Sequence, residues 1–278
     1  MPEGPEIRRM VDDIAKAVSG RDAQSVFFAF ERFKGLESAL AGRRVTEVAA
    51  RGKAVLVFFD ARGDDGPWCV YSHNQLYGKW RITRAQTVPK TNRQLRFAIF
   101  TQNKAARLYS ASDIRLVRPD ALDQVPYIAN LGPDPLNQNL DAAAIRERIA
   151  DPTFARRGLG GLLLDQGFIA GIGNYLRSEI LYVAGIAYDK RPGDLDENAQ
   201  QALAEAVVTL IQRAYAQKGV TNTPERVARL KQQGKRFGAR RHMVFGRDGQ
   251  ACYGCSTTIE RINVASRRLY YCSYCQPA

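Results

Sequence analysis

The 278-residue sequence contains no uninterrupted run of about eighteen apolar residues, the length that a membrane-spanning helix requires. Its first ten residues, MPEGPEIRRM, carry charges where a secretory signal has an apolar segment. From these two absences we expect a soluble, cytoplasmic protein that does not associate with a membrane.

Acidic residues are in deficit, because 41 Lys and Arg residues stand against 28 Asp and Glu residues and leave a net charge of +13. This surplus favours a polyanionic partner, and nucleic acid is the first candidate. A generally basic soluble protein would have the same composition, so charge alone does not decide between them. The length predicts two compact units, since one domain typically takes roughly 100–200 residues.

Cysteine is also scarce, with five residues in the chain. Four of them form two CxxC pairs near the C-terminus: Cys252, Cys255, Cys272 and Cys275. In a reducing compartment such pairs are typical of metal ligands, and we predict one structural zinc ion bound by all four thiolates. A redox pair or an accidental spacing is the alternative. The fifth cysteine, Cys69, lies in the apolar stretch WCVYS and is predicted to be buried in a strand.

Hydrophobic patterns divide the N-terminal part of the chain. Apolar residues recur at spacings of three and four over residues 5–19, which predicts an amphipathic helix. Between residues 25 and 117, short stretches rich in Val, Phe, Tyr and Ile alternate with turns and predict an antiparallel β-sandwich or barrel. Four prolines between residues 119 and 135 predict a linker.

Helical periodicity returns after the linker, in residues 141–150, 160–186 and 197–217. The basic segment 218–242 lacks this pattern and is predicted to be a connection that is mobile or becomes ordered on DNA. Around the CxxC pairs, short strands predict a small hairpin with Arg267 and Arg268 at its tip.

Within the central helical segment, Gly171 and Gly173 predict a tight turn, and a new helix is predicted to begin at Asn174. Asn174 is a suitable helix cap. The same side chain and the neighbouring N–H groups would also suit a phosphate, so these residues alone leave both interpretations open.

Three separated motifs resemble one family of DNA repair enzymes. MPEGPE, GIGNYLRSEIL and CxxC-x16-CxxC are together similar to the formamidopyrimidine-DNA glycosylase and endonuclease VIII family, and SHNQLYG, RGKAVL and LYSASDI resemble its bacterial endonuclease VIII branch. The resemblance covers nearly the whole chain and implies an α+β fold. It implies an N-terminal antiparallel β-sandwich with a helix in residues 1–120, a linker at 121–135, a helix-two-turn-helix DNA-binding domain at 136–242 and a four-cysteine zinc-finger hairpin at 243–278.

The resemblance implies a bifunctional DNA glycosylase and abasic-site (AP) lyase of base excision repair. Once Met1 is removed, Pro2 would attack C1′ of the damaged nucleotide and form a Schiff base, and β,δ-elimination would then cut the strand. A terminal amine suits this step because its pKa lies at about 8, whereas that of a lysine amine lies at about 10.4. Glu3 would be the general acid, supported by Glu6, and Lys53 would contact phosphate and assist catalysis. From the residues alone, the two glutamates equally suit a helix start.

The resemblance also implies how the DNA is bound. Asn174 and Arg267 match residues that clamp phosphates beside the lesion, and Arg267 is also counted with the catalytic residues. Gln75, Leu76 and Tyr77 match the turn that fills the gap left by an extruded nucleotide. From the residues alone, a strand with buried Leu76 and Tyr77 is the alternative.

The expected partner is double-stranded DNA that contains oxidised bases or abasic sites, bound by a monomer. The SHNQLYG resemblance favours oxidised pyrimidines. The basic segment 218–242 is longer than in the family pattern, so excision of oxidised purines stays open. A zinc-ribbon DNA-binding protein without catalytic activity also stays open.

Overall fold

The computed structural model describes residues 2–277. They form two compact units, one made of Pro2 and residues 7–130 and the other of residues 3–6 and 131–277. The division between residues 130 and 131 falls within the predicted linker. Met1, whose removal was predicted, lies outside the described residues. In residues 2–277, no helix has the length and apolar character needed to span a membrane.

The first unit consists mainly of antiparallel sheets, as predicted. Helix α1 (Gly4–Val18) precedes the strands, and α2 (Glu37–Leu40) and α3 (Pro126–Ala129) are short. The strands are β1 (Ser25–Phe28), β2 (Val45–Arg51), β3 (Ala54–Phe59), β4 (Trp68–His73), β5 (Lys79–Arg84), β6 (Leu95–Phe100), β7 (Lys104–Tyr109) and β8 (Asp113–Val117). Within the described residues they form two four-stranded sheets, ordered β1-β6-β7-β5 and β2-β3-β4-β8.

One hydrophobic core joins α1 and both sheets of this unit. Alternating side chains of each strand point to it, because successive residues of a strand face opposite sides. Its fully or almost fully buried members include Ile7, Val11, Ile14, Phe28, Val57, Val70, Phe97 and Ile99. Cys69 on β4 is fully buried, as predicted.

The second unit is helical apart from its C-terminal hairpin. Its helices are α4 (Ala142–Ala150), α5 (Leu159–Leu162), α6 (Asn174–Ala184), α7 (Glu197–Ala216), α8 (Pro224–Gln232) and α9 (Phe237–Arg241). Asp141 and Asp196 cap α4 and α7, since each carboxylate accepts an N–H three residues ahead, at 2.9 and 2.8 Å. The predicted helical stretch 160–186 is interrupted, so that only its second half forms the long helix α6.

The basic segment 218–242 contains α8 and α9, where the sequence predicted an irregular connection. Thr223 caps α8, because its hydroxyl oxygen accepts the N–H of Arg226 at 3.3 Å. Leu230 is 4% exposed and anchors the helix. The Asn222 amide donates to the carbonyl oxygen of His242 at 2.9 Å and closes the segment at its base. This capped helix was not predicted because the strongly basic composition was interpreted as a sign of an irregular chain.

The C-terminal hairpin pairs β9 (Glu260–Val264) with β10 (Arg267–Tyr271). Its turn is Ala265–Ser266, with φ of 52° and 58°, which is the two-residue turn that matches the twist of a hairpin. The sequence prediction that Arg267 and Arg268 form the tip is therefore wrong. These two residues begin β10.

Candidate functional site

The side chain of Glu3 lies at the N-terminus of α6. Its oxygens accept backbone N–H groups of Gly173, Tyr175 and Leu176 at 2.8, 2.8 and 3.2 Å. Glu3 is only 4% exposed, so amides of the helix start replace water around its carboxylate. Gly173 permits this close approach, because a Cβ there would lie 2.6 Å from Cγ of Glu3.

Asn174 does not cap α6, contrary to one sequence interpretation. Its Nδ2 donates to the carbonyl oxygen of Arg268 at 2.9 Å, and its Oδ1 accepts from Nη2 of Arg177 at 2.7 Å. The buried Arg177 also donates to the carbonyl oxygens of Gly160, Val264 and Arg268 at 2.7, 3.1 and 3.0 Å. Asn174 and Arg177 thus fix both strands of the hairpin against α6.

Arg267 has an exposed side chain at the start of β10. Its carbonyl oxygen accepts from Arg177 at 3.4 Å. Burial, opposed by the charge of Glu3 and assisted by that of Arg267, lowers the pKa of Arg177 to about 10, which leaves it protonated at neutral pH. The structure therefore brings Glu3, Asn174 and Arg267 together around the first turns of α6, with Arg177 between them.

Glu6 lies in the first turns of α1 and contacts the same helix start. Its Oε2 accepts the N–H of Glu3 at 3.0 Å, and the Tyr175 hydroxyl donates to its Oε1 at 3.0 Å. Nη2 of Arg241 lies 4.0 Å from Oε1. The carboxylate of Glu6 is thus engaged by the backbone of Glu3, the residue that directly follows the partly exposed Pro2.

Glu179 is a buried acid of α6 that sequence analysis missed. Its carboxylate accepts the backbone N–H groups of Met243, Val244 and Phe245 at 2.8, 2.8 and 2.9 Å, and also the hydroxyl of Thr221. These bonds attach the chain that leads into the cysteine hairpin to α6. An acidic residue within the apolar sequence SEILYV was the available signal, because such a side chain is rarely buried without partners.

The four cysteines of the CxxC pairs lie together in the hairpin region, with all their sulfur atoms within 4.8 Å of one another. The Sγ distance is 3.9 Å between Cys252 and Cys275 and 3.4 Å between Cys255 and Cys272. Four sulfurs around a tetrahedral zinc ion, with bonds of about 2.3 Å, would lie about 3.8 Å apart. The donors and their spacing therefore fit one metal ion.

In the first unit, Lys53 lies in the tight turn between β2 and β3, after Gly52 with φ of 56°. Its backbone N–H donates to the hydroxyl of Tyr127 at 2.8 Å. Burial lowers the pKa of His73 on β4; the Asp113 carboxylate opposes this, and the charge of Lys53 lowers it further. The two residues lie near each other because Ala54, which follows Lys53, pairs with His73 across β3 and β4.

The predicted gap-filling residues follow His73 directly. The N–H of Gln75 donates to Nδ1 of His73 at 3.1 Å, and Gln75 adopts φ of 48°. Leu76 and Tyr77 are 58% and 68% exposed, so the alternative of a strand with buried side chains is wrong. Gly78 closes the turn by donating its N–H to the carbonyl oxygen of residue 74 at 2.7 Å. The structure thus places Lys53 and this turn at one end of the β2-β3-β4-β8 sheet.

Comparison with known proteins identifies the family of the chain. Residues 1–116 match the formamidopyrimidine-DNA glycosylase N-terminal domain, and residues 131–225 match the formamidopyrimidine-DNA glycosylase H2TH domain. Over 276 residues, the chain is 42% identical to Endonuclease 8 of Pectobacterium carotovorum subsp. carotovorum (strain PC1) and to that of Escherichia coli O9:H4 (strain HS), covering 99% of this chain and 100% of each relative.

Solved structures share the fold. The Lactococcus lactis Fpg protein in complex with DNA containing an abasic site superposes with a TM-score of 0.77 at 22% identity, covering 99% of this chain and 100% of that one. Its complex with DNA containing an oxidised pyrimidine gives a TM-score of 0.78 at 22% identity, with both chains covered completely. The chain therefore belongs to the formamidopyrimidine-DNA glycosylase and endonuclease VIII family, as its motifs predicted.

Proposed function

We propose that this protein is a bifunctional DNA glycosylase and AP lyase of base excision repair, which excises oxidised bases and cuts the strand by β,δ-elimination. The observation that carries the proposal is the placement of Glu3 directly after Pro2, with its carboxylate bound at the start of α6. The full-length identity to proteins named Endonuclease 8 supports the same activity.

Pro2 is the proposed nucleophile. After removal of Met1, its secondary amine is partly unprotonated near neutral pH, because an α-amino group titrates at about 8. The amine attacks C1′, and the bond from C1′ to the damaged base breaks. The C1′–O4′ bond then opens as O4′ takes a proton, which leaves a Schiff base between Pro2 and the ring-opened sugar. The positive charge of this adduct acidifies the neighbouring C2′ proton. Loss of that proton expels the 3′ phosphate, and a second elimination expels the 5′ phosphate.

Glu3 is the proposed general acid, which gives a proton to the ring oxygen of the sugar as the base leaves. A general acid must remain within hydrogen-bond reach of its target, and the amides of α6 restrict where the Glu3 carboxyl group can go. Glu6 supports it by binding the Glu3 backbone. Lys53 is proposed to contact a phosphate and to assist catalysis.

The DNA-binding roles follow the same resemblance. We propose that Asn174 and Arg267 contact phosphates next to the lesion, and that Arg267 also assists catalysis there. Gln75, Leu76 and Tyr77 occupy the gap left by the extruded nucleotide, a role that the solvent exposure of Leu76 and Tyr77 supports. The partner is duplex DNA with an oxidised base or an abasic site, bound by a monomer.

The proposed division of labour assigns catalysis to residues 1–120, connection to 121–135, DNA binding to 136–242 and metal binding to 243–278. The metal is proposed to be one zinc ion, held by the four cysteines of the hairpin. Four thiolates leave no open position, so the ion would stabilise the hairpin and take no part in the reaction.

Borohydride reduction tests the nucleophile, because it converts a Schiff base into a permanent protein–DNA bond. Protein whose N-terminal residue is Pro2 should be trapped on DNA containing an abasic site. The matched control retains an uncleaved N-terminal extension, which blocks the amine and should prevent trapping. Binding without trapping by the processed protein would indicate the non-catalytic zinc-ribbon alternative, and equal trapping by the blocked protein would exclude Pro2.

The same assay tests lesion preference. Duplexes containing thymine glycol or 8-oxoguanine separate a pyrimidine enzyme from a purine enzyme, and we expect faster trapping on thymine glycol. Faster trapping on 8-oxoguanine would assign the purine preference instead.

A further inference from the structure

Tyr175, the second residue of α6, contacts both acids of the proposed site. Its backbone N–H donates to Oε1 of Glu3 at 2.8 Å. Its hydroxyl donates to Oε1 of Glu6 at 3.0 Å and lies 3.2 Å from Oε2. The side chain is buried, with the residue only 6% exposed, so water does not readily replace these bonds. No feature of the GIGNYLRSE sequence predicted this role.

Glu6 connects the Tyr175 hydroxyl to the backbone of Glu3 by hydrogen bonds. Oε1 of Glu6 accepts the hydrogen bond from the Tyr175 hydroxyl, and Oε2 accepts the one from the backbone N–H of Glu3 at 3.0 Å. That N–H belongs to the peptide bond between Pro2 and Glu3. Its peptide plane is rigid, so the orientation of this N–H also sets the orientation of the carbonyl group of Pro2.

The surroundings make the Tyr175 hydroxyl a permanent donor. Burial, and then the charges of Glu6 and Glu3, raise the pKa of Tyr175 well above its usual value, so the phenol remains protonated over the working pH range. The ring centroid lies 5.0 Å from that of His242 and 6.3 Å from that of Phe245, which restricts its movement. A phenol with such a raised pKa is a poor proton donor in the reaction itself. Its role is therefore to position other groups.

From this geometry we infer that Tyr175 is a positioning residue, whose hydroxyl fixes Glu6 and, through Glu6, the peptide that carries the Pro2 nucleophile. The inference rests on the proposed function and adds Tyr175 to the residues that the reaction needs, besides the proposed acid Glu3 and the proposed nucleophile Pro2. Without the hydroxyl, Oε1 of Glu6 keeps only the long contact of 4.0 Å with Arg241. The carboxylate can then rotate away from the Glu3 amide more easily, and the nucleophile samples more orientations relative to the sugar.

The test is the Tyr175→Phe variant, which keeps the ring and the backbone N–H to Glu3 and removes only the hydroxyl. On abasic-site DNA we expect kcat and the rate of borohydride trapping to fall about tenfold, as expected for a lost hydrogen bond to a charged group, with KM within about twofold. Tyr71→Phe is the matched control, because it removes another buried hydroxyl that donates to a carboxylate, Asp113, at 3.2 Å. Its kcat should stay within about twofold of the wild type.

A double-mutant cycle with Glu6→Gln tests whether the hydroxyl acts through Glu6. If it does, the double variant is no slower than Glu6→Gln alone, because an amide has a single oxygen acceptor and already cannot bind both the phenol and the Glu3 N–H. Additive losses, or a Tyr175→Phe variant with wild-type kcat, would overturn the inference. A fall in DNA affinity with unchanged kcat would overturn it as well.

The wild-type arm separates this inference from the proposed function. Trapping by the wild type together with equally fast trapping by Tyr175→Phe refutes the positioning role alone. Failure of the processed wild type to trap refutes the Pro2 mechanism, and the inference with it. Thermal unfolding of each variant confirms that the fold is intact, and Phe in place of Tyr175 should preserve the ring packing against His242.

Discussion

Replacing Gly173 by alanine should displace Glu3 without unfolding the protein. The backbone of Gly173 has φ of −133° and ψ of −154°, an extended conformation that alanine also adopts. The added Cβ would, however, lie 2.6 Å from both Cγ and Oε1 of Glu3 and closer still to Cδ, whereas ordinary contacts begin at 3.4 Å. The side chain of Glu3 must therefore move by about 1 Å, and it can move because its single bonds can rotate.

The magnitude follows from this displacement. A shift of about 1 Å in a catalytic group can lower a rate by about 100-fold, which corresponds to roughly 2.7 kcal/mol of transition-state stabilisation. Glu3 also loses part of its hydrogen bonding to α6, where one bond to a charged group contributes about 1.5–3 kcal/mol. We therefore expect kcat/KM to fall about 100-fold and the free energy of unfolding to fall by about 1–3 kcal/mol.

The assay compares base excision and trapping with thermal or denaturant unfolding. Gly161→Ala is the control in the same unit, because its Cβ would meet only the Cβ of Ala265 at 3.8 Å, an ordinary contact. This control should retain wild-type activity and stability. A Gly173→Ala protein with full activity would refute the reasoning, as would a crystal structure in which Glu3 still accepts all three amides of α6.

Four further predictions follow from other parts of the structure. Cys252→Ser should release the metal and abolish DNA binding, because the hairpin is too small to fold by hydrophobic burial alone; full metal content and activity would contradict the site. DNA affinity should decrease steeply with salt, by about 0.9 logarithmic units per tenfold salt for each phosphate bound, and a flat response would contradict phosphate clamping. Burial lowers the pKa of His242 from 6.5 to about 4, so the unfolded chain binds a proton that the folded chain excludes. Stability should thus be lost as pH falls from about 6.5 to about 4, by up to roughly 3 kcal/mol, and His242→Gln should flatten this dependence in denaturant titrations; parallel curves would be inconsistent with it. Joint replacement of Leu76 and Tyr77 by alanine should slow excision of a paired lesion about tenfold but spare cleavage of an abasic site, since the second substrate has no base to extrude; equal losses would argue against gap filling.

Regular elements of the fold were predictable because their signals are local. The strands β2, β3 and β6 begin and end where the apolar stretches VTEVAAR, AVLVFF and LRFAIF do. Helix α1 differs from its prediction by one residue at each end. In these segments, the side-chain pattern that buries one face is continuous along the chain and needs no information from distant residues.

Apart from the four cysteines, whose spacing alone predicted their cluster, the site was predictable only where a motif resembled the family. The roles of Arg177 and Glu179 were not predicted because their partners are backbone groups. Arg177 donates to the carbonyl oxygens of residues 160, 264 and 268, and Glu179 accepts the amides of residues 243–245. Carbonyl oxygens and amides occur at nearly every residue, so these pairings leave no mark in the sequence of the partner segment. Gly173 was interpreted as a turn residue, whereas the structure requires it for the approach of Glu3, which is 170 residues away in the chain.

Helix α6 places four functions at fixed intervals along its axis. Its first amides bind Glu3, its first turn carries Asn174, and Arg177 and Glu179 bind the hairpin and the chain leading into it. Insertion of a single residue after Tyr175 would rotate everything beyond it by about 100°, and would turn Arg177 and Glu179 away from their partners. We therefore expect natural variation in chain length to spare α6 and to accumulate in the exposed residues 233–236 between α8 and α9, where an added residue interrupts neither helix.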